Sequence, residues 1–217
     1  MEQGKYENNT IALQGKVAGE IEYSHEVYDE PFYTTYVDCK RISGTYDRLP
    51  VTIGESLMGN ADLNIDDDIM IAGQIRSYNR FIDGKRRLLL TVFARRISIG
   101  DTMDPQLNSV QLEGFVCKPP IFRTTPFLRE ICDILLAVNR PYRKSDYIPV
   151  IVWGESARKA GIIPVGSKII VNGRMQSREY VKKMSDGIMQ KRVAYEVSAT
   201  RVALPDGLGG SIDIEMI

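Results

Sequence analysis

Hydrophobic and polar residues alternate in short runs along the whole chain, and Gly, Pro, Asn and Asp separate these runs. The runs are rich in Val, Ile, Tyr and Thr, and a period of two is typical of half-buried β-strands. The pattern predicts strands at 10–17, 34–41, 69–78, 88–97, 109–116, 131–139, 148–153, 168–180 and 193–202. It also predicts one short helix in each half, which in the second half runs from Glu155 to Ala160.

The alternating pattern occurs twice. The segment Pro50-Val-Thr-Ile-Gly-Glu-Ser56 returns 99 positions later as Pro149-Val-Ile-Val-Trp-Gly-Glu-Ser156, with Trp153 as an insertion. Polar and glycine positions recur at the same spacing or one more: Asn9 with Asn108, Gly15 with Gly114, Asp47 with Asp146, Gly73 with Gly173, and Ser77 with Ser177. A chain of 217 residues therefore divides into two related units of ordinary domain size.

Four to five strands with a short helix before the fourth is the order of the OB-fold, a five-stranded, partly open Greek-key barrel. We therefore predict an all-β protein with two tandem OB-fold barrels and one short helix in each. The predicted boundaries are 1–102 for the first barrel, 108–204 for the second, and 205–217 for a short C-terminal tail.

Composition narrows the class of protein. No apolar run is long enough for a membrane span and the start of the chain does not resemble a signal peptide, so a cytoplasmic location is expected. The three cysteines are expected to be small buried hydrophobes rather than a disulfide or zinc framework. The net charge is zero, but residues 1–105 carry 12 Lys and Arg against 17 Asp and Glu, a balance of −5, whereas the remainder carries 16 against 11. The second unit alone is basic, which suggests that it contacts an anion.

Strand periodicity predicts which side chains face outward from the second unit. Tyr147 and Trp153 share the outer face of one strand, and Arg174, Gln176, Arg178 and Tyr180 share the outer face of the next. Cations and aromatic rings on one surface suit unpaired nucleic acid, because the rings can stack on bases while guanidinium groups contact phosphates. Each residue also has an ordinary interpretation, as a core aromatic, an interface anchor or a surface charge.

The residues from Asn108 to Pro205 resemble the bacterial single-stranded DNA-binding protein (SSB) family in four blocks that follow the family's order. These are Asn108-Ser-Val-Gln-Leu-Glu-Gly114, Leu136-Ala-Val-Asn-Arg-Pro-Tyr-Arg143, Asp146-Tyr-Ile-Pro-Val-Ile-Val-Trp-Gly154 and Val171-Asn-Gly-Arg-Met-Gln-Ser-Arg-Glu-Tyr180. The resemblance implies that Tyr142, Tyr147, Trp153 and Tyr180 stack on bases. Arg140, Arg143, Arg174, Arg178 and Gln176 are predicted to complete the interface. The resemblance also implies a working unit of four OB barrels, which a homodimer would supply.

The first unit resembles the same family only in outline. Ser43, Arg48 and Ile53 stand at the equivalents of three of the stacking residues. Arg76, Tyr78 and Arg80 are still predicted to face outward and to contact the DNA backbone, although a solvated hairpin is an equal alternative. The aromatic and acidic segment 20–36 is interpreted as a long hairpin that covers the partner barrel.

The predicted function is binding of single-stranded DNA with little sequence preference, in replication, recombination or repair. The alternatives are a protein-interaction module for replication or primosome assembly, and a binder of single-stranded RNA. The acidic and apolar C-terminus, Asp213-Ile-Glu-Met-Ile217, could recruit replication or repair proteins, or could add a strand to a barrel edge. His25 is the only histidine and no catalytic or metal-binding motif is present, so no enzymatic activity, no cofactor and no metal are expected.

Overall fold

The computed structural model describes residues 7–59, 63–82, 84–100, 104, 106–183 and 187–205. The first half forms β1 (Asn9–Val17), β2 (Glu22–Val27), β3 (Glu30–Lys40), β4 (Tyr46–Gly54), α1 (Glu55–Met58), β5 (Asp68–Ile82) and β6 (Lys85–Ile99). The second half repeats the series as β7 (Asn108–Val116), β8 (Ile121–Thr124), β9 (Glu130–Arg140), β10 (Lys144–Trp153), α2 (Glu155–Ala160), β11 (Lys168–Lys183) and β12 (Met189–Ala203). The residues 206–217, which hold nearly all of the expected tail, lie outside the described part.

Five strands of each half close into a barrel. In the first half β1 pairs with β5, β5 with β6, β6 with β4, β4 with β3, and β3 returns to β1. All these pairings are antiparallel except β4 with β6. The second half closes in the same order through β7, β11, β12, β10 and β9. This five-stranded order, with a short helix between the third and fourth barrel strands, is that of the OB-fold, so the predicted fold class is confirmed.

Alternating apolar side chains fill the barrel interiors, as a pleated strand requires. In β11 the buried apolar side chains are Ile169, Val171 and Met175, two or four residues apart. In β10 Ile148, Val150 and Val152 are buried in the same way. Gly173 lies where β12 comes closest, because a Cβ atom there would stand 2.2 Å from the carbonyl oxygen of Ser198. The alternation that predicted these strands is therefore the pattern of the core itself.

The two barrels are joined by a strand pair. β1 and β7 run antiparallel, with Ile11 opposite Val110, so that one continuous sheet passes through both halves. The Asn9 side chain bonds both backbone polar groups of Ile75, at 2.7 and 2.9 Å, and the Asn108 side chain does the same to Met175, at 2.8 and 2.9 Å. The two recurring asparagines therefore continue the hydrogen bonding between strands at both ends of the β1–β7 pair.

Three of these strands were not among those predicted: β4 and the two short edge strands, β2 and β8. Tyr28 and Asp29 adopt positive φ in the two-residue turn between β2 and β3, which is the conformation of a tight hairpin turn. The hairpin expected at 20–36 therefore exists, but its ring contacts are with its own barrel. Phe32 packs against Phe93 with ring centroids 5.5 Å apart, while Tyr36 lines a cavity together with Tyr195 of the second barrel.

Candidate nucleic-acid interface

Trp153 lies at the end of β10, on the outer face of the second barrel. Its ring is half-buried, and Nε1 donates a hydrogen bond to Ser198 Oγ at 3.2 Å. The strand ends there because Gly154 takes a positive φ of 65°. A cavity of about 550 Å³ opens beside the indole, and its lining includes Leu128 and Arg129 from the β8–β9 turn. The ring is therefore held by one polar contact, and its open side faces the turn that carries Arg129.

Tyr147 on β10 and Tyr180 on β11 are exposed on the same barrel. Tyr147 is 42% exposed, and its backbone N–H donates to Ser77 Oγ of the first barrel at 2.7 Å. The guanidinium of Arg178 lies 5.8 Å from the centroid of the Tyr180 ring, and its Nε donates to Glu196 at 3.3 Å. Arg178 remains 45% exposed, so both the ring and the cation are available to a ligand.

The turn between β9 and β10 presents the most exposed of the predicted rings. Pro141–Arg143 form a short 3-10 turn in which Tyr142 and Arg143 have φ values of 61° and 56°. Residues with a side chain rarely adopt this left-handed conformation, and it costs about 1–2 kcal/mol. The result is a Tyr142 ring that is 93% exposed. A strained backbone that holds an aromatic ring in solvent is typical of a binding site.

Arg174 and Gln176 differ from the expectation of outward, free side chains. Arg174 donates to Asp47 of the first barrel at 2.9 Å and to the amide oxygen of Gln176 at 3.1 Å. Gln176 is buried, and its amide donates to the buried carboxylate of Glu196 at 2.9 Å. The strand alternation was predicted correctly, but the first barrel lies against this part of β11. These two side chains therefore hold β11 in place beneath the interface.

The barrel contact is reciprocal. Asp47 is fully buried and accepts hydrogen bonds from Arg41 of its own barrel, and from Arg174 and the Ser177 backbone N–H of the other, the last at 2.7 Å. Asp146 in turn is fully buried and accepts from Arg140 of its own barrel, Arg76 at 3.0 Å and the Ser77 N–H at 2.7 Å. Each carboxylate thus holds one arginine from either barrel.

Burial lowers the pKa of the two arginines that reach across from one barrel to the other. Desolvation lowers the pKa of Arg76, and the hydrogen bond to Asp146 opposes that shift. Desolvation also lowers the pKa of Arg174, opposed by the charge of Asp47. An arginine keeps its proton under either influence, so each carboxylate faces two cations at neutral pH.

Arg76, Tyr78 and Arg80 of the first barrel line a second cavity, of about 670 Å³. Its lining also includes three residues of the first barrel that the sequence did not single out, His25, Phe93 and Arg95, together with Arg140, which was predicted for the interface of the second barrel. Phe93 and Arg95 face outward on β6, the fifth barrel strand. The sequence indicated outward-facing residues only on the third and fourth barrel strands, so these two were missed. Arg129 beside Trp153 was missed for a similar reason, since it lies in the turn after an unpredicted strand.

The remaining chemically active groups are shielded. Burial raises the pKa of the Cys39 thiol to about 12 and that of Cys132 to about 11, and Cys117 is half-buried. In the part of the chain that the structure describes, no three His, Cys, Asp or Glu residues are grouped as metal ligands. Neither helix within the described ranges is long and apolar enough to cross a membrane.

The two closed barrels and their outer surfaces define a tandem OB-fold protein. Residues 107–205 match the model of the single-strand binding protein family. Single-stranded DNA-binding protein 3 of Listeria innocua is 30% identical over 112 residues, which cover 48% of this chain and 70% of that protein. The single-stranded DNA-binding protein of Clostridium tetani is 36% identical over 103 residues, or 44% and 68% of the two chains. The chain belongs to the single-strand binding protein family.

Both halves of the chain also share their fold with a solved structure. The crystal structure of the wild-type single-stranded DNA binding protein from Thermus aquaticus aligns with 93% of this chain and 95% of that chain. The TM-score is 0.70 at 18% sequence identity, so the two proteins share the tandem-barrel fold. The family match covers the second half, and the structural match shows that the first half shares the fold.

Proposed function

We propose that this protein binds single-stranded DNA with little sequence preference, chiefly through the outer surface of the second barrel. The observation that carries the proposal is the set of exposed or half-exposed rings on that surface: Tyr142, Tyr147, Trp153 and Tyr180. Stacking on such rings is worth about 1–3 kcal/mol per base and tolerates any base, because every base has a flat face. Bases in a duplex are already stacked, so the surface favours unpaired strands.

The cations of the same surface supply the contacts to the phosphates. Arg143 stands beside Tyr142 in the β9–β10 turn, and Arg178 lies over Tyr180. Arg140 is tied to Asp146 on one side only and is about one third exposed. Arg174 bonds Asp47 and Gln176 bonds Glu196, so these two side chains hold the strand in place and are not the first to contact the DNA. Phosphate neutralisation by these arginines predicts an affinity that falls as salt rises.

The family relationship supports the rest of the proposal. We propose a non-enzymatic role in DNA replication, recombination or repair in the cytoplasm, and a homodimer that brings four barrels together. Contacts with replication or repair proteins through the C-terminus remain part of the proposal, although that segment lies outside the described residues.

The test uses Trp153, the only tryptophan of the chain. The protein is titrated at several salt concentrations with oligo(dT), with oligo(U) and with a DNA duplex of the same length. We expect oligo(dT) to quench the fluorescence, the duplex to bind at least tenfold more weakly, and the affinity to fall linearly on a logarithmic salt scale. No quenching and no binding at low salt would rule out the proposal, and tighter binding of oligo(U) would assign the surface to RNA.

A further inference from the structure

We infer that copies of this chain bind one another head to tail, through the free edge of β2 on one copy and the free edge of β8 on the next. The two strands lie at opposite ends of the sheet that runs through both barrels. Among the described strands, β2 pairs only with β3 and β8 pairs only with β9. Each strand therefore keeps one side to which a further strand can add.

The backbone of β8 turns hydrogen-bonding groups outward at two residues. The Thr125 N–H donates to the carbonyl oxygen of Arg129 at 2.8 Å, and Thr124 lies opposite Glu130. Hydrogen-bonded and non-hydrogen-bonded pairs alternate along an antiparallel ladder, so Phe122 and Thr124 direct their N–H and C=O groups away from β9. In the part of the chain that the structure describes, no hydrogen bond reaches these groups from the other side.

The backbone of β2 also turns groups outward. Its turn to β3 consists of residues 28–29, so Val27 and Glu30 form the hydrogen-bonded closing pair. The next residue, Glu26, lies opposite Pro31, which has no N–H to donate. Glu26 therefore directs its N–H and C=O away from β3. Every side chain of β2 and β8 is exposed, so both edges are open to a second copy.

The two edges carry opposite charge. Residues 20–30, which contain β2, include four glutamates and one aspartate and no lysine or arginine. Residues 117–129, which contain β8, include Lys118, Arg123 and Arg129 and no acid. Arg123 bonds Asp133 of β9 and stays 45% exposed, and the other two cations are exposed. An acidic strand beside a basic one gains from opposite-charge pairs across the contact.

The same charges disfavour the pairing of like edges. Two β2 strands would place Glu22 and Glu26 against the glutamates of the other copy, and two β8 strands would bring both Arg123 side chains together. Like charges on paired strands are destabilising, and such charges are a common guard against symmetric pairing of edges. The contact is therefore heterologous, joins copies in a row, and is distinct from the closed homodimer proposed above.

Apolar side chains accompany the charges at both edges. Tyr23 and Tyr28 are 61% and 98% exposed on the β2–β3 hairpin, and Phe122 and Phe127 are 43% and 86% exposed on the β8–β9 hairpin. Exposed apolar groups rimmed by charge are typical of a protein–protein contact. The strands are short, with six and four residues, so the contact is weak unless two copies are held close together.

The test holds two molecules side by side on one oligo(dT), and this template rests on the proposed function. Native mass spectrometry compares an oligomer that saturates one molecule with an oligomer of twice that length. We expect the second molecule to bind the longer oligomer at least tenfold more tightly than the first, because neighbours on one strand have an effective concentration of about 1 mM. Glu26→Lys and Arg123→Glu should each remove this preference. A variant with both changes should regain it, since acid and base then face each other with their places exchanged.

The controls are Glu7→Lys and Lys40→Glu, which make the same changes of charge at exposed residues outside both edge strands and should keep the preference. The inference is overturned if the wild type shows no preference, if both single reversals keep it, or if the double reversal does not restore it. Loss of binding to the shorter oligomer would instead remove the proposed function. Sedimentation velocity without DNA, at up to about 1 mM protein, then decides: association that Glu26→Lys abolishes supports the inference, and association that both reversals leave unchanged overturns it.

Discussion

Removal of the Asp146 carboxylate should destabilise the contact between the barrels strongly. Asp146 is fully buried and accepts hydrogen bonds from Arg76 at 3.0 Å, from Arg140 at 3.3 Å and from the Ser77 N–H at 2.7 Å. In Asp146→Ala the Arg76 side chain, 16% exposed, keeps its charge without a partner, whereas Arg140, 31% exposed, can turn to water. Loss of one member of a buried pair costs about 3–5 kcal/mol, and that is the expected drop in the free energy of unfolding.

Urea unfolding at neutral pH, followed by circular dichroism and by Trp153 fluorescence, measures this drop. The matched control is Asp133→Ala, because Asp133 pairs with Arg123 at 2.7 Å while both side chains stay more than one third exposed. An exposed pair of this kind contributes about 0–1 kcal/mol. A double-mutant cycle with Arg76→Ala should give a coupling of about 1–3 kcal/mol. If Asp146→Ala costs no more than the control, the reciprocal carboxylates do not hold the barrels together.

Two further outcomes are expected. Alkaline pH should lower the free energy of unfolding: burial raises the pKa of Cys39 to about 12, of Cys132 to about 11 and of Tyr195 to about 12. The unfolded state loses these protons first, so stability falls as pH rises from about 9 to 12; urea midpoints that do not change from about pH 8 to pH 11 would contradict this. Tyr142→Gly should keep or raise stability by about 1 kcal/mol, because glycine accepts the positive φ, yet it should weaken oligo(dT) binding about fivefold or more in an anisotropy titration. Unchanged affinity would remove Tyr142 from the interface.

Much of the fold could be predicted from the sequence because it follows from local alternation. Strands whose inner side chains fill a barrel show a period of two, and α2 begins and ends at the predicted residues, Glu155 and Ala160. The edge strands β2 and β8 escaped because every described side chain in them is exposed, so no buried face imposes a pattern. Their pairing is set by turns and by the neighbouring strand.

The site was predictable only in part, because strand periodicity carries limited information. Periodicity shows which side of a strand a residue occupies, but it does not show what lies against that side. Arg174 and Gln176 were placed on the outer side, where Arg174 bonds Asp47 of the first barrel and Gln176 is buried against Glu196 of its own barrel. The recurrence of Asp47 and Asp146 was visible in the sequence, and the structure gives its cause in the reciprocal barrel contact. Phe93 gave no signal, because the second unit has a serine at its place.

The central claim is that bases stack on the rings of the second barrel, and the affinity of a Tyr147→Ala/Tyr180→Ala variant for labelled oligo(dT) tests it most directly. Tyr46→Ala is the matched control, an exposed tyrosine on β4 of the first barrel. We predict a loss of about 30-fold or more in the double variant, since each stacked base is worth about 1–3 kcal/mol, and a change within about twofold in the control. Wild-type affinity in the double variant, or equal losses in both proteins, would contradict the account.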